Sequence, residues 1–481
     1  MRSYRRFAFL LAFTASALCP AALWADPIDD IVIEQMTKRK IPGLSLAVIE
    51  KGEIVKARGY GFIDVAAQTP VSAQTLFQAG SVSKPVAAVG ALTLVADGKL
   101  KLDDNINAVL KSWKLPDNDF TREQKATLRR LLSHTAGVTV HGFPGYAVAG
   151  PVATLRQVLD GESPANTKPL RVDLAPGTAF RYSGGGYTIV QQAMIDVTGA
   201  TFPDYLRDRV LKPLGMDAST FEQPLPADRQ SETARGYRAG GAPVPGRWHV
   251  YPEMAAAGLW TTASDLARFA IGLQRTLAGT SQPVLPATLL REAFTVQKDN
   301  YALGFAMSGE GPTRRFGHNG RDEGFDAMLT AYCESGQGVV LMINTNDNSS
   351  ALRKIVDAVA DTYHWAGHAR FTPVPAIADL EPEVTAELRR IVEKSRDGTF
   401  DRTLYVAPLA ELMAVQLAPD GVARVALKAY GAIKSVELLN RRVANGATQY
   451  RYRFSFENDT VLVVYGRNAE GKIAMLGLQP E

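Results

Sequence analysis

Cysteine is nearly absent: the 481 residues contain two, Cys19 and Cys333. Cys19 falls in a leading segment expected to be removed, which leaves Cys333 alone and excludes an intrachain disulfide. Histidine is scarce as well, with six residues. His364 and His368 stand at helical metal-ligand spacing, but no Glu accompanies them and Gly367 lies between. A metal centre is therefore not implied. Runs of like charge are missing and the formal net charge is only +4, so nothing asks for a nucleic-acid partner.

Long apolar runs are also missing. Phe7 to Ala17 is the apolar part of the N-terminus, shorter than the roughly 20 residues that span a bilayer. Arg2, Arg5 and Arg6 precede it and small residues follow, the layout of a secretory signal peptide ending at about Ala25. The chain is thus expected to be exported, periplasmic or secreted, with no integral membrane span once this segment is removed. Without those arginines, acidic and basic residues nearly balance. Hydrophobic content of 46% and charged content of 21% are those of an ordinary globular protein, and the length suits two or three domains.

What the sequence does have is Leu76 to Gly98, LFQAGSVSKPVAAVGALTLVADG. Val86 to Val95 is apolar on nearly every face of a helix, and such a helix belongs in the middle of a domain. Pro85 fits only the first turn and Asp97-Gly98 supplies a stop, so the helix is expected to start near Ser81 or Val82. Ser81 and Lys84 are three residues apart and neighbours on its surface. A serine beside a lysine at a positive helix end suits an activated nucleophile; Lys84 capping a surface turn is the other reading.

Around this stretch the patterns run helix, hairpin, helical block, strands, helix. Ile28 to Lys38 is helical; Leu44 to Glu50 and Ile54 to Tyr60 are strands joined at Lys51-Gly52. Helices are expected at Leu128 to Ser133, Leu155 to Asp160, Tyr187 to Val197, Tyr205 to Leu211 and Ala263 to Leu277. Strands are expected at Leu303 to Met307, Arg315 to His318, Asp326 to Cys333 and Val339 to Asn344, then a helix from Ala351 to His364. The order implies an α+β fold. One antiparallel sheet built from both ends carries the terminal helices on one side, with a helical subdomain beside it and a groove between.

Two further stretches draw attention. In Pro176 to Tyr187 a turn is followed by Tyr182, Ser183 and the glycines Gly184, Gly185 and Gly186, a sharp entry to a helix where a ligand can come close or simply a flexible connection. Phe316-Gly317-His318-Asn319-Gly320 ends a strand with a histidine able to donate to a substrate or merely to fill a sheet edge. His134, in Leu131 to Gly137, has the look of a catalytic histidine, and a helix-ending hydrogen bond explains it as well; His141 and His249 have no evident partners.

Together Ser81-Val82-Ser83-Lys84, Tyr182-Ser183-Gly184 and His318-Asn319-Gly320 resemble the three motifs of serine beta-lactamase-like hydrolases, the group of class C beta-lactamases, family VIII esterases and low-molecular-mass penicillin-binding proteins. The resemblance spans Ile28 to Ala366. It implies that Ser81 attacks an acyl carbonyl and forms an acyl-enzyme, with Lys84 and Tyr182 sharing the general-base work. It places the N–H groups of Ser81 and Arg321 in an oxyanion hole, and His318, Asn319, Gly320 and Gly184 at the substrate, with no metal or organic cofactor. His318 stands where lactamases carry lysine. Gly184 stands where many relatives have an asparagine that contacts an amide substrate, so ester hydrolysis is favoured over beta-lactamase activity. A DD-peptidase, D-amino-acid peptidase or penicillin-binding protein is the alternative, and a catalytically silent cell-wall binding protein the alternative of another class. The partner is a small ester or peptide, peptidoglycan-derived material included. Tyr187, Trp260 and Phe325 are expected to line the groove from their proximity to the motifs.

These readings divide the chain into a signal peptide (1–25), a hydrolase domain (26–370), a linker (371–382) and a small α+β accessory domain (383–481). In the last, helices are expected at Val384 to Lys394 and Leu409 to Leu417. Strands are expected near Val422 to Leu427, Ser435 to Arg442, Tyr450 to Phe456, Val461 to Tyr465 and Lys472 to Leu478, with turns at Asn445-Gly446 and Asn458-Asp459.

Overall fold

Strand β1, Gly43–Glu50, shows no alternation of apolar and polar residues, because both of its faces are covered. Leu44, Leu46 and Val48 pack on Ile28 and Val32 of helix α1 (Pro27–Arg39) and on the C-terminal helix of the catalytic region, whereas Ala47 and Ile49 face the helical block. The computed structural model describes residues 26 to 480 except 283, 347, 348, 369, 371 to 373, 420, 445 and 446. The expected signal peptide, the Asn445-Gly446 turn and the first residues of the expected linker lie outside the described residues.

The main sheet is antiparallel and seven-stranded. β2 is Glu53–Asp64, joined to β1 at Lys51 and Gly52, both with positive φ as the hairpin requires. β3 is Thr69–Pro70, β4 Ala306–Ser308, β5 Arg315–Asp322, β6 Phe325–Tyr332 and β7 Gly338–Ile343. Their order, β3-β2-β1-β7-β6-β5-β4, joins strands from both ends of this region, as expected. Because β4 pairs only with Arg315 to Gly317, the rest of β5 has no strand on its outer side.

The helical block packs on the opposite face from α1. At its centre is α2, Ser83–Ala96, with every residue from Ser83 to Leu94 buried. Helix α3 (Gly184–Thr198) packs on it, α4 (Ala263–Ala278) lies on the sheet over β1, β2 and β7, and α5 (Ser349–Thr362) returns beside α1.

The C-terminal region has its own core. It consists of α6 (Pro382–Asp397), α7 (Ala407–Gln416), α8 (Val422–Tyr430) and a meander of β8 (Ile433–Ala444), β9 (Ala447–Phe456), β10 (Thr460–Arg467) and β11 (Ile473–Pro480). Tyr450, Tyr452, Phe454 and Phe456 put one face of β9 into this core. The strand expected at Val422 to Leu427 is instead helix α8. Ala423, Ala426, Leu427 and Tyr430 recur at three- and four-residue spacing and line one side, a period that a strand cannot bury. The domain meets the catalytic region through a 2.6 Å ion pair between Arg39 and Asp459.

Candidate active site

Ser81 lies in a tight turn, Gly80–Val82, that feeds directly into α2. Gly80 has φ +51°, and a Cβ there would fall 2.4 Å from the Arg321 nitrogen. Likewise a Cβ on Gly320 would fall 1.9 Å from the Ala79 oxygen and 3.0 Å from the Ser81 nitrogen. Only glycines let the turn and β5 approach so closely. The backbone nitrogens of Ser81 and Arg321 therefore share one small region.

Lys84 is 2% exposed, and its Nζ lies 2.9 Å from Ser81 Oγ and 2.8 Å from the Ala256 carbonyl, to which it donates. Burial penalises the ammonium and brings its pKa down to about 7, against the opposing pull of Asp322. Near neutral pH the lysine is partly a free amine beside a hydroxyl.

Tyr182 stands immediately before α3. Ser183 caps that helix by accepting from Gly186 N–H, while its own N–H donates to His134 Nδ1 at 3.1 Å. The His134 ring lies 4.2 Å from the Tyr182 ring, the His141 ring lies 4.9 Å from it at a tilt of 45°, and Lys84 Nζ is 5.0 Å from the Tyr182 centroid. Burial raises the Tyr182 pKa, opposed by a hydrogen bond with Ser81. Tyr182 is thus a neutral phenol in contact with the serine hydroxyl.

His318 closes the cluster from β5. Its Nδ1 lies 2.5 Å from the Asn319 carbonyl and its Nε2 2.9 Å from the Tyr301 hydroxyl. Burial, then repulsion from Lys84, pushes its pKa down to about 3, so the ring is neutral. A carbonyl can only accept, so Nδ1 carries the proton and Tyr301 donates to Nε2.

A family model described as Beta-lactamase matches residues 28–363. The chain belongs to this beta-lactamase family. Its members are serine hydrolases, and the relatives span several activities. Protein flp of Staphylococcus aureus strain MW2 is 24% identical over 359 residues, 73% of this chain and 68% of that protein. Penicillin-binding protein 4 of Amycolatopsis lactamdurans is 28% identical over 340 residues, 68% of this chain and 85% of that one. Among solved structures, an octameric penicillin-binding protein homologue from Pyrococcus abyssi has a TM-score of 0.60 at 20% identity, covering 94% of this chain and 98% of that one. EstCE1, a hydrolase with promiscuous acyltransferase activity, has 0.56 at 20% identity, covering 70% and 98%. At such identities these structures establish the fold.

Within this beta-lactamase-family fold, Ser81, Tyr182, His318, Asn319, Gly320 and Arg321 line one cavity of about 790 Å³ that continues around β5 towards α5. Lys84 lies beneath its floor. Gly184 is buried, and a Cβ there would meet the Phe143 ring at 3.0 Å and the His141 carbonyl at 3.2 Å. The groove-lining aromatics expected from the sequence need correction: Tyr187, Trp260 and Phe325 are fully buried. Tyr187 donates to the Leu132 carbonyl, and Trp260 and Phe325 pack on one another, so each is committed to the core. The aromatic rings at the cavity include Tyr182, Tyr301, His141 and His318, packed on one another, and further along Phe316, Tyr332, Trp365 and His368. Tyr301 and His141 belong to no motif and carry no local signal; the sheet and the loop before α3 bring them in. His368 lines the α5 side of the same cavity, 2.7 Å from Asp357, and no cluster suited to a metal occurs among the described residues.

Proposed function

We propose that this protein is an exported serine hydrolase that forms an acyl-enzyme on Ser81, with an ester as its favoured substrate. The 2.9 Å approach of buried Lys84 to Ser81 Oγ carries this reading. The free amine takes the hydroxyl proton as Oγ bonds to the carbonyl carbon. The oxygen that becomes anionic is met by the N–H groups of Ser81 and Arg321. Tyr182, held as a neutral phenol, gives its proton to the leaving group and recovers one from the Lys84 ammonium. Water then replaces the leaving group and the same transfers run in reverse, freeing the acid and restoring Ser81. His318, Asn319 and Gly320 form the wall along which the substrate lies.

Gly184 supports the preference for esters. No side-chain amide is present there to pair with a substrate amide, which a site selective for peptides uses. Peptidase action is the second reading, favoured by the likeness to penicillin-binding protein 4. Intact-protein mass after brief exposure to a nitrophenyl ester or a penicillin tests both. An acyl adduct or product with wild type and none with Ser81→Ala supports the nucleophile, and the reagent that turns over separates esterase from peptidase. No adduct and no product with either reagent would sink the reading in favour of a silent binding protein.

A further inference from the structure

The C-terminal domain contains a second cavity, about 310 Å³, a volume within the range of small-molecule pockets. Its walls are mainly apolar, with Val392 from α6, Leu412 and Met413 from α7, Leu427 from α8 and Leu478 from β11 beside the polar Ser395 and Gln416. Helix α7 is apolar on nearly all sides, which leaves Leu412 52% and Val415 68% exposed at this edge of the domain. At one end the wall is Arg321 of β5, which also lines the cavity of Ser81. The two cavities therefore meet at one side chain. Its guanidinium is fixed by Asp326 at 2.7 and 3.0 Å, so its aliphatic stem is a standing surface between them.

The acyl transfer described above sets a direction. The leaving group has to face Tyr182 and the carbonyl oxygen the N–H groups of Ser81 and Arg321. The acyl substituent takes the remaining course, past Arg321. We propose that the C-terminal cavity receives the far end of an unbranched aliphatic acyl chain, which makes this domain part of the substrate-binding surface. This assignment rests on the acyl-enzyme reading and names its substrate class. A chain must pass the length of an arginine side chain before it enters, so acyl groups shorter than about six carbons stop short and those of about eight to twelve reach it. Each methylene then moved out of water raises kcat/KM about fourfold.

The test uses the full chain as wild type, Leu412→Glu and Ala423→Phe, with nitrophenyl esters from acetyl to dodecanoyl. Leu412 is exposed, whereas Ala423 is half-buried and packs against the domain's core, so Leu412→Glu carries the test and thermal unfolding is recorded for Ala423→Phe. In the wild type kcat/KM climbs beyond hexanoyl; in both variants it stays flat, while acetyl and butyryl esters react equally in all three. An unchanged climb in the variants, or none in the wild type, overturns the proposal and leaves the acyl-enzyme reading standing. Binding of decanoate to full-length Ser81→Ala, read by displacement of an apolar fluorophore, separates the two ideas. Binding weakened at least about tenfold by Leu412→Glu supports the cavity even where no ester is turned over, an outcome that would sink the catalytic reading alone.

Discussion

Asp322 and Lys84 form a buried pair in which each sets the charge of the other. Asp322 is 3% exposed, and the Lys84 charge and the Gly80 backbone N–H oppose the upward push that burial gives its pKa. Glu253 is fully buried nearby, its pKa pushed up to about 8 by burial against the pull of its own backbone N–H. Two acids and one amine thus share fewer charges than they would in water, and they titrate together. Burial keeps an amine under the serine at neutral pH, and ionised Asp322 works against it.

Asp322→Asn and Glu253→Gln are expected to move the acid limb of kcat/KM in opposite directions. In the proposed mechanism activity needs neutral Lys84, so it is expected to fall as pH drops through about 7. Ionised Asp322 favours the ammonium; its removal lowers the lysine pKa and carries the limb down by roughly half to one pH unit. Glu253 repels charge on Asp322. Its removal lets Asp322 ionise more readily and carries the limb up. Profiles from pH 5 to 9 on both variants check this, and a limb that stays put in Asp322→Asn refutes the coupling.

Tyr182→Phe is expected to lower acylation at least about a hundredfold for alkyl esters, the lower range of general acid–base contributions. With nitrophenyl esters, whose leaving group departs without a proton, the loss is smaller. Burial holds the phenol protonated, so in the proposed mechanism its part in bond cleavage is to donate. Single-turnover rates with paired alkyl and nitrophenyl substrates measure the difference, and equal losses with both would remove Tyr182 as the donor.

Much of this arrangement was legible in the sequence. The apolar run of α2 with Pro85 in its first turn gave the buried helix, and three motifs gave Ser81, Lys84, Tyr182 and the β5 segment: the first two sit at a helix start and a helix cap, while His318 to Gly320, expected to end a strand, lie within β5, which continues to Asp322. Tyr301, His141, Asp322 and Glu253 were not legible. They act through contacts between elements distant in sequence, and none stands in a pattern that local chemistry requires. Helix α8 was misread because Val422 and Val425 suggest a strand, while the alanines that pack it at helical spacing carry little signal. Trp260 and Phe325 were misplaced because nearness to a motif says nothing about which face a side chain occupies.

Gly184→Asn alone is expected to fail as a route to amide turnover. A Cβ there already meets Phe143 and the His141 carbonyl, so the longer side chain has to displace them. Overpacking of this kind costs about 1–3 kcal/mol of stability. Thermal unfolding and hydrolysis of a penicillin would show a less stable protein with no gain. Paired with Phe143→Ala the change should recover stability, and lack of recovery would contradict the clash.

Tyr301→Phe is expected to raise KM more than it lowers kcat. The Tyr301 hydroxyl donates to His318 Nε2 while Nδ1–H is held by the Asn319 carbonyl, so the ring is fixed at both ends. Loss of the hydroxyl leaves a buried acceptor unpaired, at a cost of about 1–3 kcal/mol, and frees the ring to turn about its remaining bond. The wall along β5 then loosens, whereas Ser81, Lys84 and Tyr182 keep their mutual contacts. Steady-state kinetics separates the effects: a rise in KM of several-fold with kcat within about threefold fits a positioning role. A fall in kcat of a hundredfold at unchanged KM would instead put Tyr301 in the proton transfers, and unchanged kinetics with unchanged unfolding would show that the hydrogen bond to His318 does nothing.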